Sequence, residues 1–164
     1  MPRMRSDLRA AEERARALVG TVEYRDLGPL RAAETVAFAR ACGERDPRLL
    51  DPDAAGFEVH PLYLPSLLRG PEGGVATDYR DDGMFRDEVP GTDGLDVRLM
   101  AGGQSIAFHR PAPLGDPIVV RRTLDAVDRK GRPGSEFLLL TVSKVYRARR
   151  AGPLATVTER FIVR

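Results

Sequence analysis

Residues 103–110, 117–128, 136–148 and 154–163 form four β-type runs held apart by three turn signals, Pro113-Leu114-Gly115-Asp116, Gly131-Arg132-Pro133-Gly134 and Ala151-Gly152-Pro153. That spacing suits consecutive antiparallel strands. Alternation puts Ile106 and Phe108 on one face of the first run, and Ala155, Val157, Phe161 and Val163 on one face of the last. The third run, EFLLLTVSKVY, is apolar on both faces at its start, as a central strand covered twice would be. Helical patterns precede the sheet, one of them apolar enough to be buried. The fold class is therefore α+β, an antiparallel sheet that must cover a helix.

Upstream, residues 5–18 are rich in Ala, Glu, Arg and Leu, and Gly20 follows as a stop, which predicts a first helix. Its apolar side is mostly alanine, which suits the surface of the body or a partner. A short strand follows in TVEYRDLGPL and ends at Gly28-Pro29. A second helix is predicted over 31–42, with Ala33, Val36, Ala37 and Ala41 as its stripe and Gly43 as its C-terminal cap. Asp46-Pro47 and Asp51-Pro52 make 44–58 an ordered loop with single helical turns. Residues 62–69, LYLPSLLR, read as a short buried helix if Pro65 falls in its first turn. Residues 70–96 show no periodicity, the signature of a lid, a binding loop or a disordered segment. The expected division is a helical extension over 1–19 and one domain over 20–164 with the long loop inside it.

Composition narrows the function. A chain of 164 residues with 42% hydrophobic and 30% charged residues is one globular domain without a membrane span. The N-terminus lacks an apolar signal core, so the cytoplasm is the expected location. One cysteine (Cys42) and two histidines (His60 and His109) leave no disulfide framework and no histidine- or cysteine-rich metal centre, and no cofactor is expected. A net charge of +2 gives no reason to expect nucleic acid. Residues 71–96 carry eight acidic and two basic side chains, whereas 121–150 carry nine basic and three acidic. Such asymmetry either steers an anionic partner to the C-terminal half or lets the two segments lie together. GPEGG at 70–74 follows no strand, so it is no phosphate loop, and no nucleophile elbow is present.

Three stretches carry a family resemblance: FARACGERDPRLLDPDAA (38–55), HPLYLPSLL (60–68) and GGQSIAFHRPAPLGDPIVVRRTLDAVDRKGR (102–132). With the last two strands they make nearly everything from residue 20 onward similar to the hot-dog fold. The likeness is to the N-terminal-type domain of MaoC-like dehydratases, including the non-catalytic subunit of heterodimeric mycobacterial 3-hydroxyacyl-ACP dehydratases. The resemblance implies that two hot-dog domains pair and an acyl thioester of CoA or acyl carrier protein threads between them. In catalytic members a Gly-Asp-x-Asn-Pro motif, one further residue and a histidine supply an acid/base pair that activates a water. A backbone N–H holds the thioester oxyanion.

This chain departs from that motif. With Gly43 on the motif glycine, Glu44 takes the aspartate position, Asp46 the asparagine, Pro47 the proline and Leu49 the histidine. Leucine cannot carry a proton. Pro61 follows His60 where catalytic members have a glycine, and proline has no N–H to offer an oxyanion. The resemblance thus implies a substrate-binding subunit that pairs with a second hot-dog chain carrying the aspartate and histidine. Two alternatives remain open. One is a self-sufficient homodimeric thioesterase or atypical lyase using Glu44, and the other is an acyl-thioester binding protein without chemistry. Glu44 and His60 are the catalytic candidates, and His60, Leu62, Tyr63 and His109 the candidate substrate contacts. Tyr79 is a further candidate channel residue. Arg121, Arg122 and Arg147, with Arg149 and Arg150, are candidates for contact with CoA phosphates or a carrier.

Overall fold

The computed structural model describes residues 2–67 and 74–164. Its five strands are β1 (Val22–Pro29), β2 (Leu99–Phe108), β3 (Pro117–Lys130), β4 (Phe137–Ala148) and β5 (Gly152–Val163). They form one antiparallel sheet in the order β1-β3-β4-β5-β2. Each predicted β run is a strand, but the first does not pair with the next in sequence. β2 lies along β5 at the far edge, with Ile106 opposite Val157 and Phe108 opposite Ala155. Pro111, Pro113 and Pro117 remove the N–H donors that a β2–β3 hairpin would need, so the chain crosses over instead. Leu114 bridges to Leu30 on the β1 side of the sheet on the way.

Burial along β4 alternates without a break from Phe137 to Tyr146, as period-2 geometry demands. Leu138, Leu140, Val142, Lys144, Tyr146 and Ala148 face inward. Most of these are apolar, and one is a lysine. Lys144 is 3% exposed, and its ammonium lies 2.8 Å from Glu88 Oε1 and 2.7 Å from Glu159 Oε2. The second contact is an ion pair whose angle is too poor for a hydrogen bond. On β3, Arg122 stands directly opposite Lys144 of β4 and opposite Glu23 of β1. Its guanidinium donates to Glu23 Oε2 at 3.0 Å and to the Glu88 carbonyl. On β2, Gln104 donates to Glu159 Oε1 at 3.0 Å. A polar belt therefore crosses all five strands on the inner face, each charge held by an opposite one, as burial requires.

The belt divides the core. On one side Leu124, Val127, Leu138, Leu140, Val142, Phe161 and Val163 meet Leu8, Ala11 and Ala15 of helix α1 (Pro2–Leu18). On the other side Ile118, Val120, Tyr146, Ala148, Ala155 and Val157 meet Val59, Tyr63, Leu64 and Leu67. The alanines of α1 thus form a buried stripe on the sheet layer, small enough for close backbone approach. Gly91 passes so near that a Cβ there would sit 2.7 Å from the Ala15 nitrogen, and its φ is +81°.

Helix α2 (Ala32–Ala41) is rotated from the predicted stripe. It buries Thr35, Val36 and Ala39, while Ala33, Ala37 and Ala41 face outward. Alanine tolerates either environment, so the larger half-buried Phe38 sets the rotation. Asp46 caps the single turn α3 (Pro47–Leu50), with Pro47 in its first turn. The buried helix expected over 62–69 is one turn, α4 (Tyr63–Ser66), and Pro65 falls in that turn as the sequence requires. Residues 68–73, which include the rest of that stretch, the start of the long loop and most of GPEGG, lie outside the described residues. From residue 74 the loop is laid onto the sheet, with Glu88, Val89 and Thr92 buried. The acidic and basic segments lie together here, joined through Glu88, Lys144 and Arg122.

Candidate functional site

The site is built where the loop after α2 returns to the start of α4. Gly43, at φ +78°, turns the chain out of α2, and the Glu44 N–H closes onto the Ala39 carbonyl at 3.1 Å. Asp46 then accepts the Arg48 N–H at 2.9 Å and starts α3. Hydrogen bonds from the Arg48 guanidinium and backbone hold the Asp46 carboxyl below the usual carboxylate range. Leu49 is half-buried on that turn. Asp51 closes the next turn, accepting the Asp53 N–H at 3.0 Å, and the chain runs through buried Val59 to His60.

His60 is 8% exposed and sits edge-on to Phe38, with ring centroids 5.4 Å apart. The Leu62 N–H donates to Nδ1 at 3.1 Å, which places the ring proton on Nε2. Nε2 faces Glu44 Oε1 at 3.2 Å. Two residues sixteen positions apart, the separate catalytic candidates of the sequence, thus form one hydrogen-bonded pair. The same contacts close the start of α4. Pro61 has no N–H, the Leu62 N–H is taken by His60 Nδ1, and the Tyr63 N–H donates to the His60 carbonyl at 2.9 Å.

Beside the pair lies a cavity of about 340 Å³. Val59, His60, Pro61 and Leu64 form one wall, and Phe108, His109, Pro111, Ala112 and Leu154 form the other. Glu58 and Arg110 give its rim one charge of each sign. The lining is mainly apolar with a few polar groups, the pattern of a small-molecule site.

The sequence candidates separate clearly in space. His60 and His109 both line this cavity, and the His109 ring also bonds to Thr156 Oγ1 at 3.0 Å. Leu62 is 49% exposed beside the cavity rather than in it. Tyr63 is buried against Phe38, with ring centroids 5.2 Å apart, and burial together with Glu34 pushes its phenol above the ordinary value. Tyr79 stacks on Phe85 in the loop, away from the cavity. Of the arginines, Arg147, Arg149 and Arg150 are exposed and Arg121 is half-buried. Arg122 is buried in the belt with its guanidinium engaged, so it presents no charge to a carrier or to CoA phosphates. The rest of the far wall, Phe108, Arg110, Pro111, Ala112 and Leu154, is not among the sequence candidates. The signal was present in the inward phase of Phe108 at the end of a strand, ahead of a proline-rich crossover.

Among the described residues, no three His, Cys, Asp or Glu side chains come together to hold a metal ion. No described helix is long and apolar enough to cross a membrane.

Residues 17–157 match the family model described as FAS1-like, dehydratase domain region. A UPF0336 protein of Parafrankia sp. (strain EAN1pec) is 32% identical over 105 residues, covering 58% of this chain and 60% of that protein. Among solved structures, the ChsH1-ChsH2 complex from Mycobacterium tuberculosis superposes with a TM-score of 0.65 at 16% identity, over 96% of this chain and 90% of that one. An (R)-hydratase from A. caviae involved in PHA biosynthesis gives 0.58 at 23% identity, over 87% and 94%. These likenesses establish the expected hot-dog fold. The family match spans both the loop carrying Glu44 and Leu49 and the sheet behind it, so the chain belongs to the FAS1-like dehydratase domain region family.

Proposed function

We propose that this chain is the acyl-thioester-binding half of an (R)-specific enoyl-thioester hydratase or 3-hydroxyacyl-thioester dehydratase. It works in the cytoplasm beside a second hot-dog chain that carries the aspartate and histidine, and it needs no cofactor. The observation that carries this reading is the absence of a free N–H over residues 61–63, taken with Leu49. Hydration of a thioester-conjugated double bond needs a water activated by an acid/base pair and a donor for the carbonyl oxygen, where negative charge develops. Here Leu49 stands at the position of the proton carrier, Pro61 has no N–H, and the N–H groups of Leu62 and Tyr63 are engaged within the chain, so residues 61–63 offer no backbone donor. What the chain does offer is a mainly apolar slot. In the forward direction the partner's dyad delivers the water oxygen to the β-carbon and a proton to the α-carbon, and in reverse the same atoms leave. The two-chain make-up of the ChsH1-ChsH2 complex supports the pairing.

A second reading rests on the Glu44–His60 pair. His60 holds Glu44 Oε1, and a carboxylate oriented in this way can serve as the base of a self-sufficient homodimer acting as a thioesterase or lyase. One experiment separates the two. The purified chain is assayed with an enoyl thioester and with a saturated acyl thioester, alone and then with a hot-dog chain of the host that bears the intact motif. Hydration only in the mixture supports the first reading. Full turnover of either substrate by the chain alone supports the second, and tight binding without turnover in any mixture supports a binding protein.

A further inference from the structure

The polar belt lies further along the same two strands that line the cavity. On β2 the inward-facing residues run from Phe108, at the cavity, through Ile106 to Gln104, in the belt. On β5 the corresponding run is Leu154 and Ala155, then Val157, then Glu159. Phe108 is 49% exposed and Ile106 half-buried, so the described part of this chain leaves the β2 edge of this run partly open, while Leu154, Ala155 and Val157 on β5 are buried in the core. Four residues of strand are about 13 Å, the length of an extended acyl chain of about ten carbons.

We propose that the belt of Gln104, Glu159, Lys144 and Arg122 is the end stop of the acyl slot and sets the chain's substrate class as short- and medium-chain acyl thioesters. This rests on the acyl-thioester reading given above. A methyl end that reaches Gln104 meets a buried network in which Lys144 lies between Glu88 and Glu159 at 2.8 and 2.7 Å. An apolar chain passing that point has to part these charges and offers them no hydrogen bond in return. A detour is blocked too, because α1 already fills the apolar half of the sheet beyond the belt with Leu8, Ala11 and Ala15. The small cavity of about 40 Å³ within the belt, next to Arg122, Lys144 and Tyr146, is too small for a polymethylene tail.

The test uses the full-length chain as purified, together with any chain that co-purifies, titrated with S-acyl phosphopantetheines from butanoyl to hexadecanoyl. Phosphopantetheine is the part common to CoA and a carrier protein. Affinity is expected to climb to octanoyl or decanoyl and then fall, with hexadecanoyl bound about tenfold more weakly than decanoyl. Affinity that keeps rising to hexadecanoyl overturns the end stop and leaves the acyl-thioester reading standing. No binding at any length contradicts that reading itself. The double variant Gln104→Leu/Glu159→Leu opens the edge of the belt while leaving the Lys144–Glu88 contact in place. If its circular dichroism and melting match the parent, its best length is expected to move to dodecanoyl or beyond, and an unchanged best length overturns the proposal. If it fails to fold, the length series on the parent chain decides.

Discussion

Both ring nitrogens of His60 are engaged within the chain, Nδ1 by the Leu62 N–H and Nε2 by Glu44, so the imidazole has no nitrogen free for a substrate. Its removal is a structural loss before it is a chemical one. His60→Ala leaves the Leu62 N–H without its acceptor and empties space beside Phe38, which is expected to cost about 1–3 kcal/mol in urea denaturation. Glu44→Gln keeps the shape and an oxygen facing Nε2. In the assembled enzyme it is expected to change kcat by less than about threefold, whereas loss of a general base costs 100-fold or more. Steady-state hydration by the complex decides between these outcomes. At this scale the sequence was informative about absences. Leu49 and Pro61 read as missing chemistry once the resemblance lays the family motif over the chain. The Glu44–His60 contact was not, because it depends on how the loop over 44–58 folds back, which no local pattern records.

At the scale of elements, much of the architecture follows from turn chemistry. Asp116, just ahead of β3, accepts the Arg150 and Ala151 N–H groups at 3.0 Å each and so fastens the β4–β5 turn. Its burial acts to raise its pKa, but those N–H groups and the Arg150 charge outweigh that and hold it below the usual aspartate value. A carboxyl depressed in the folded state stabilises above its unfolded pKa and loses that contribution as pH falls through the folded one. Thermal melts from neutral to acid pH are therefore expected to show a steeper acid fall for the parent than for Asp116→Asn, and parallel curves would contradict this. The docking of α1 has an equally local test. Gly91→Ala adds a Cβ 2.7 Å from the Ala15 nitrogen at a φ of +81° and is expected to destabilise the fold by about 2–4 kcal/mol in denaturant titration. Strand positions were readable because alternation is a short-range signal. The pairing of β2 with β5 was not, since it depends on a crossover whose only local trace is a run of prolines. The rotation of α2 was unreadable for another reason: a stripe of alanines pays almost nothing for facing either way.

For the whole molecule, charge divides the inner face of the sheet into two apolar halves. The inward phase of β3, β4 and β5 predicts apolar residues, yet Arg122 and Lys144 occupy it opposite one another and Glu159, opposite Val142, occupies it two residues along. Read singly, Arg122 suggested an anion contact at the surface. Read together with its strand partners, it belongs to a closed ionic network. Breaking one member is expected to be costly. Lys144→Met leaves Glu88 and Glu159 buried beside each other, and a loss of about 3–5 kcal/mol or outright misfolding is expected by circular dichroism and denaturation. The same molecule leaves β2 at the sheet edge with Met100 and Phe108 exposed, an arrangement that favours life in an assembly. The measurement that bears most directly on the central claim is a tagged pull-down from the native host, followed by a hydration assay of what is recovered and of this chain alone. An equimolar second hot-dog chain with the intact Gly-Asp-x-Asn-Pro motif and its histidine is expected, with activity in the complex and none in this chain by itself. Recovery of this chain alone as a homodimer that hydrates enoyl thioesters at full rate would contradict that claim.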